Sequence, residues 1–519
     1  MSALVLTAPT PSTAQTTAFK LAVAEAAAFD EDVAAFYRER NFEGLWTGAD
    51  DAATDRRNAL LSVFARAADH GLPAARYDAD ALMARLMTAE TAAEKGALDV
   101  ELSMLFLSYA RAIQTGILTP RAVVNDIKRE VPLRDRLTYL QEFAAASPQA
   151  YLASLPPASP EYARLLREKL ALEARLIDGG WGPTVPGSKL EPGATGPRVV
   201  ALRDRLVSMG FLERSMTQTY DDAVTEAVRA FQEAHGLTAD GVAGESTLRE
   251  INVPMASRLQ QIIVAMERER WTNMERGDRH IWVNLTDFSA AIMDQDSPTF
   301  VTRSVIGAVT DDRQTPEFSD TMSHMVINPS WYVPRSIIVG EYLPAMQRNR
   351  NAVGHIQVIN SRGQVVNRGA INFSQYTART FPFSMRQPPS NSNALGLVKF
   401  MFPNQYNIYL HDTPAKSLFG REVRAFSHGC VRLNDPFEFA YALLAAQEDA
   451  PIEYFQSILR TGSERRVNLE EPVPVHLVYR TAFTHTTGQL NFRRDVYNRD
   501  SRIWAALANE GVAVRAIGG

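Results

Sequence analysis

The chain has 519 residues, 45% hydrophobic and 22% charged, with a net charge of −5. That is the balance of a globular protein of roughly three or four domains. It excludes a predominantly basic nucleic-acid surface, and no apolar run reaches the roughly 18 residues of a transmembrane helix. Ser2 to Ala8 is apolar with no positive residue before it, and small residues follow through Gln15. Residues 1–18 therefore read as a truncated secretory signal or a disordered tail.

From Phe19 to about Leu176 the pattern is helical. Leu60, Leu61, Phe64 and Ala65 recur at three- and four-residue steps along a helix expected over 55–69, which His70-Gly71-Leu72-Pro73 ends. Further helices are expected over 99–114, with Asp99 as a capping residue, and over 160–177. No catalytic pattern is visible; His70 reads as a local packing residue, and 19–178 as a helical scaffold domain. A Gly/Pro-rich stretch over 179–188 marks a boundary. Residues 190–254 then carry three short helices. The first has the stripe Val199, Leu202, Leu206 and Met209, closed by Gly210. The second runs from Tyr220 to Phe231, and the third starts at Gly244. Each has one apolar face, enough together for a minimal core. The helix from Met255, ending in Glu267-Arg268-Glu269-Arg270, reads as a linker over 255–278.

From His280 the runs become short and β-rich: 281–285, 290–293, 302–307 and 325–334. An Asn-, Gly- and Arg-containing stretch spans about 339–385. Two strands, 395–402 and 406–410, deliver His411, and a helix is expected over 435–446, begun by Asp435 and Pro436. A strand over 473–482 and a helix over 501–509 complete a segment, 461–519, expected to pack back on the scaffold.

Chemistry concentrates at Ser427-His428-Gly429-Cys430-Val431-Arg432, which holds the only cysteine of the chain. A lone cysteine is most often a small buried hydrophobe. Here its polar neighbours, a flexible glycine and a nearby cation argue for a nucleophile instead. A thiol of ordinary pKa, about 8.5, needs a base to attack near neutral pH, and an imidazole supplies one. His411 and His428 are the candidates. The remaining histidines, among them His280, His324, His355, His476 and His485, show no metal-binding spacing, so no metal or cofactor is expected. The Cys-before-His order of a papain-like peptidase is absent.

Tyr409-Leu410-His411-Asp412-Thr413 followed by Ser427 to Arg432 resembles the signature of the L,D-transpeptidases, whose catalytic domain is of the YkuD type. Met325 to Pro334 fits the same pattern, and residues 190–254 resemble the peptidoglycan-binding type 1 module. The resemblance implies a multidomain α+β protein. A helical scaffold and a three-helix module would precede a β-rich catalytic domain over 279–460, with a capping insertion at 339–385 as in the larger Gram-negative members. It places His411 as general base. His428 shapes the site and remains the alternative base. Gly429 is expected to let its own amide and that of Cys430 face an oxyanion, and Tyr409 to add a hydroxyl. Ser427 and Arg432 are expected at the substrate. Arg432 would pair with a substrate carboxylate or else with Asp435, and some family members have asparagine at its position. The implied donor is a peptidoglycan stem ending in diaminopimelate-D-alanine. It is cut at the L-centre with loss of D-alanine and passed to an amine on a second stem. Acceptors elsewhere in the family include an outer-membrane protein, a free D-amino acid and water. Carbapenem acylation of Cys430 and a periplasmic location are also implied. A catalytically silent wall-binding protein is the non-enzymatic alternative.

Overall fold

A computed structural model describes residues 13–485 and 488–515, so the expected signal remnant lies outside it up to residue 12, and helix begins at Thr13. The backbone divides into two compact units. One comprises the described residues up to Asn125, Arg129–Met274 and those from Arg480 onward; the other comprises Asp126–Lys128 and Glu275–Tyr479.

The first unit is helical. Helices Glu31–Glu39, Asp51–Ala65, Ala92–Thr115 and Arg136–Ala145 close over a core containing Trp46, Phe64, Phe106, Tyr109 and Phe143. Asp99 does not cap a helix start. The helix begins earlier, where Thr91 accepts from the Glu94 amide and Glu94 reaches back to the Thr91 amide, a reciprocal cap. Asp99 is fully buried within it, and its carboxylate accepts from the amides of Leu45, Trp46 and Thr47 at 2.7–2.9 Å and from the Tyr37 hydroxyl at 2.6 Å. The side chain thereby satisfies a turn that has no helix or strand of its own. The three-helix element forms as its stripes predict, with helices Pro197–Met209, Asp222–Ala234 and Glu245–Ile251 around Leu202, Leu206, Val228 and Phe231.

Helix Met255–Trp271 is no linker. It packs in the centre of this unit, where Ile262, Ala265 and Met266 meet Tyr162, Leu165, Ala482 and Phe492. Its four consecutive charges are at most 4% exposed. Glu267 accepts from the amides of Ile117 and Leu118 at 2.7 and 2.9 Å and pairs with Arg270 at 2.9 Å. Arg268 pairs with Asp500 at 2.7 Å, and Glu269 with Arg480. Partners distant in sequence offset the cost of burying these charges, and the sequence pattern that suggested a linker does not show them.

The second unit is built on two sheets, whose strands in chain order are β1 (Arg279–Asn284), β2 (Ser289–Asp294), β3 (Ser297–Gly307), β4 (Phe318–Ile327), β5 (Trp331–Tyr332), β6 (Gln357–Ile359), β7 (Ser384–Gln387), β8 (Val398–Met401), β9 (Leu410–His411), β10 (Ala425–Ser427), β11 (Val431–Leu433) and β12 (Arg465–Val478). The large sheet has the order β10-β3-β11-β9-β8-β4-β12-β1-β2. Strand β3 pairs with β2 along its first part and with β10 and β11 further on, which closes the sheet on itself. Strand β12 starts well before the expected 473 and lies between β4 and β1, so residues 465–478 belong to this sheet and only the chain from Arg480 joins the helical unit. Val467 and Leu469 face inward between polar neighbours, and the register shifts between Asn468 and Val473. Strands β5, β7 and β6 form a separate small sheet. With the helical turns from Arg335 to Arg348 they enclose their own core of Trp331, Ile338, Leu343, Phe373 and Phe381. Among the described residues no helix is long and apolar enough to cross a membrane.

Candidate active site

Strand pairing brings the sequence signature together. Parallel β9 and β11 place Leu410 opposite Val431 and His411 opposite Arg432, and the Val431 amide donates to the Tyr409 carbonyl at 3.1 Å. Cys430 therefore stands beside Tyr409. The approach to β9 is a loop rather than the expected strand over 406–410. Asn404 ties it, accepting from the amides of Tyr406 and Ile408 and donating to the Ile408 carbonyl at 2.7 Å. Asn407, in a left-handed conformation at φ 56°, turns its carbonyl to the Cys430 thiol at 3.5 Å.

Cys430 is half-buried and free. Burial pushes its thiol up to about 11; the adjoining Tyr409 and the charges of Arg432 and Lys399 oppose that rise without cancelling it. Burial raises the Tyr409 hydroxyl far above its ordinary value. His411 is 4% exposed. Burial, and then the Arg432 charge, push it down to about 3, so it is neutral near pH 7. A carbonyl only accepts, so the hydrogen bond to the Asp412 carbonyl puts the ring proton on Nδ1 and the lone pair on Nε2. Asp412 is itself fixed, its carboxylate accepting from the Leu397 amide at 2.9 Å and pairing with Lys416 at 2.9 Å.

The nucleophile loop is a chain of internal bonds. Ser427 Oγ donates to the Cys430 carbonyl at 2.5 Å and accepts from the Gly429 amide at 3.1 Å. Ser427 is thus structural to the turn, and the Gly429 amide is occupied. Gly429 has φ 114°, a conformation side chains resist. Its carbonyl accepts from Thr315 Oγ1 at 2.7 Å, a partner no sequence pattern singled out. Among the described residues Arg432 makes no ion pair with Asp435, which accepts instead from Thr302 at 2.8 Å, and Arg432 Nε is buried without a hydrogen-bond partner. Burial lowers its pKa. His428 lies apart from His411 and donates through Nε2 to Glu341 at 2.7 Å; Arg313 reaches the same Glu341 oxygen at 2.7 Å. Glu341 sits in a π-helical turn, Ile338–Tyr342, between β5 and β6, where no sequence motif marked it.

Cys430, His411, His428, Arg432, Tyr409 and Ser427 line one open cavity of about 880 Å³, whose lining also includes Tyr332, Arg335 and Glu341. Among the described residues no cluster of three or more histidine, cysteine, aspartate or glutamate side chains is placed to hold a metal ion.

Residues 278–458 match the family described as L,D-transpeptidase catalytic domain, 195–251 the "Putative peptidoglycan binding domain", and 31–170 the "Scaffold domain". A protein of Haemophilus influenzae named "Putative L,D-transpeptidase" is 30% identical over 249 residues, 47% of this chain and 50% of that protein. The chain thus spans about half the length of the curated relative it matches. A crystal structure of the L,D-transpeptidase from Xylanimonas cellulosilytica aligns over 57% of this chain and 100% of that one, at 14% identity and a TM-score of 0.16. A fused Zn-dependent amidase/peptidase/peptidoglycan-binding protein from Clostridium acetobutylicum aligns over 56% and 100%, at 10% identity and a TM-score of 0.16. Alignments at such scores carry no weight for the fold. The match over 278–458, which spans the Cys430 and His411 segments, places this part of the chain in the L,D-transpeptidase family, joined to a peptidoglycan-binding domain and a scaffold domain.

Proposed function

We propose that the chain is a cysteine L,D-transpeptidase of peptidoglycan, with Cys430 as nucleophile and His411 as general base. The observation that carries this reading is one cavity lined by both the Cys430 thiol and a neutral imidazole whose lone pair lies on Nε2. The sulfur attacks the L-centre carbonyl of diaminopimelate in a tetrapeptide stem while its proton passes to His411. The Cys430 amide and the Tyr409 hydroxyl stabilise the oxyanion; one such donor is commonly worth about 10²–10³ in rate. His411 returns the proton to the departing D-alanine amine, and a thioester remains. An amine of a second stem then displaces the thiolate and forms the cross-link. Arg432, with a buried Nε lacking a partner, would meet a donor carboxylate. The peptidoglycan-binding match supports a cell-wall substrate and an extracytoplasmic, periplasmic setting. No cofactor enters these steps, and a carbapenem is the expected covalent probe of Cys430.

The test is incubation with disaccharide-tetrapeptide, followed by mass spectrometry, beside Cys430→Ala. A dimer lacking one D-alanine, absent from the variant, is the expected result. Tripeptide alone would make the chain an L,D-carboxypeptidase or one needing a protein acceptor. Binding to sacculi without turnover would overturn the enzymatic reading.

A further inference from the structure

Three histidines line the cavity, His355, His411 and His428, and the two beside the nucleophile in sequence and strand pairing, His411 and His428, are built for different partners. His411 is enclosed in the sheet, its Nδ1 committed to a backbone carbonyl. His428 is exposed, with 37% of its side chain accessible, and bonds through Nε2 to the Glu341 carboxylate. A carboxylate only accepts, so Nε2 carries the hydrogen, and in the neutral ring the lone pair falls on Nδ1. No hydrogen bond engages that Nδ1 among the described residues. The carboxylate is fixed from behind by Arg313, so one Glu341 oxygen joins the loop after β3, the segment between β5 and β6 and the nucleophile loop. A histidine oriented by a carboxylate, one residue from Gly429 and lining the same cavity as the sulfur, is the arrangement of a general base.

The reaction proposed above has two proton problems. The first is internal, since the thiol proton must reach a leaving amine that stays within the site. The second arises when an amine arrives from solvent to attack the thioester, and its proton must leave again. We propose that His428, oriented by Glu341, accepts the proton of the incoming amine in this second half-reaction, while His411 serves the first. The amine nitrogen bonds to the thioester carbonyl carbon, and its proton passes to Nδ1 of His428. As the tetrahedral intermediate collapses, the C–S bond breaks and its electron pair leaves on the Cys430 sulfur. His428 then releases the proton to water at the open mouth, and the thiolate takes one up. His428 is a catalytic residue in this scheme and Glu341 a positioning residue. This inference rests on the transpeptidase reading.

The test separates the two steps in the full chain. Donor tetrapeptide is mixed with enzyme, acyl-enzyme is followed by intact-protein mass spectrometry, and an acceptor stem is then added. In His428→Asn and Glu341→Gln the rate of transfer falls at least tenfold more than the rate of acylation, so that acyl-enzyme accumulates, in line with the roughly 10²–10⁴ contributed by general bases. Glu341→Asp recovers part of the loss, and added imidazole speeds transfer by His428→Ala. Equal slowing of both steps would mean that His428 only shapes the nucleophile loop, and unchanged partition would also overturn the inference. If the wild type forms no acyl-enzyme, the transpeptidase reading falls and the inference with it; acyl-enzyme with normal transfer in the variants sinks the inference alone.

Discussion

Burial acts in opposite directions on the two groups of the proposed dyad, keeping both uncharged before substrate arrives. Cys430 is pushed up to about 11 and His411 down to about 3. A preformed thiolate–imidazolium pair would have the reverse order. The alkylation rate of Cys430 by iodoacetamide is therefore expected to be low at pH 7 and to keep rising beyond pH 9, because the reactive thiolate appears only as pH approaches the raised value. A plateau already reached below pH 8 would show an ion pair instead. The same shift of His411 bears on stability. Its folded value lies below its unfolded value of about 6.5, so the unfolded chain binds the extra proton as pH falls. The stabilising contribution is whole above about 6.5 and is lost progressively as pH falls towards 3. His70, pushed down to about 4 by burial and then by Arg270, acts with the same sign. Removing one term should flatten the slope, so urea midpoints of His411→Gln should fall less steeply between pH 6.5 and 4 than those of the wild type. Parallel slopes would contradict the buried neutral imidazole.

At the scale of elements, the signature was legible because its chemistry is local: the Ser427–Arg432 run names a nucleophile, and β9 and β11 bring it to His411. What supports it was not. Thr315 holds the Gly429 carbonyl and Glu341 holds His428, each from a segment with no motif, through contacts made only after the sheet closes. The apolar stripes of the small module predicted its three helices, since period alone decides them. Strand β12 was half missed because Val467 and Leu469 alternate with polar and charged residues beyond the bulge. Asp99 read as a cap because aspartate usually is one; its actual partners lie more than fifty positions away. The nucleophile turn is itself open to test. A Cβ at Gly429 would sit 3.2 Å from Ile408 Cδ1, on a backbone at φ 114°. Such strain costs roughly 1–3 kcal/mol and must be relieved by moving the loop that carries the sulfur. Gly429→Ala is expected to lower D-alanine release more than tenfold. Gly193→Ala has a comparable backbone at φ 87° but open space around the added carbon. It should cost similar stability and leave release unchanged. Equal losses of release in both would mean that the effect is general destabilisation.

In the whole molecule, each unit has its own logic: a closed sheet that carries the chemistry, and a helical unit organised on helix Met255–Trp271. That helix reads as a linker only while its partners are unknown. In the fold, Glu267 ties down the turn after Thr115 and pairs with Arg270, which also reaches the His70 carbonyl and the Tyr162 hydroxyl. The desolvation of such charges is offset only by complete partnering. Removing one partner should therefore cost far more than a surface pair would. Arg270→Ala leaves Glu267 buried at 0% exposure without its cation and should destabilise the helical unit by about 3–5 kcal/mol. Hydrogen exchange read by mass spectrometry can assign that loss, which should appear in peptides of 92–115, 160–177 and 255–271. The double change Glu267→Gln with Arg270→Met removes both charges and should recover part of the stability, because no uncompensated ion remains. A loss under about 1 kcal/mol in Arg270→Ala would place the pair with exposed ion pairs, whose typical worth is that small. The unit would then be held by its apolar contacts, with Ile262, Ala265 and Met266 at their centre.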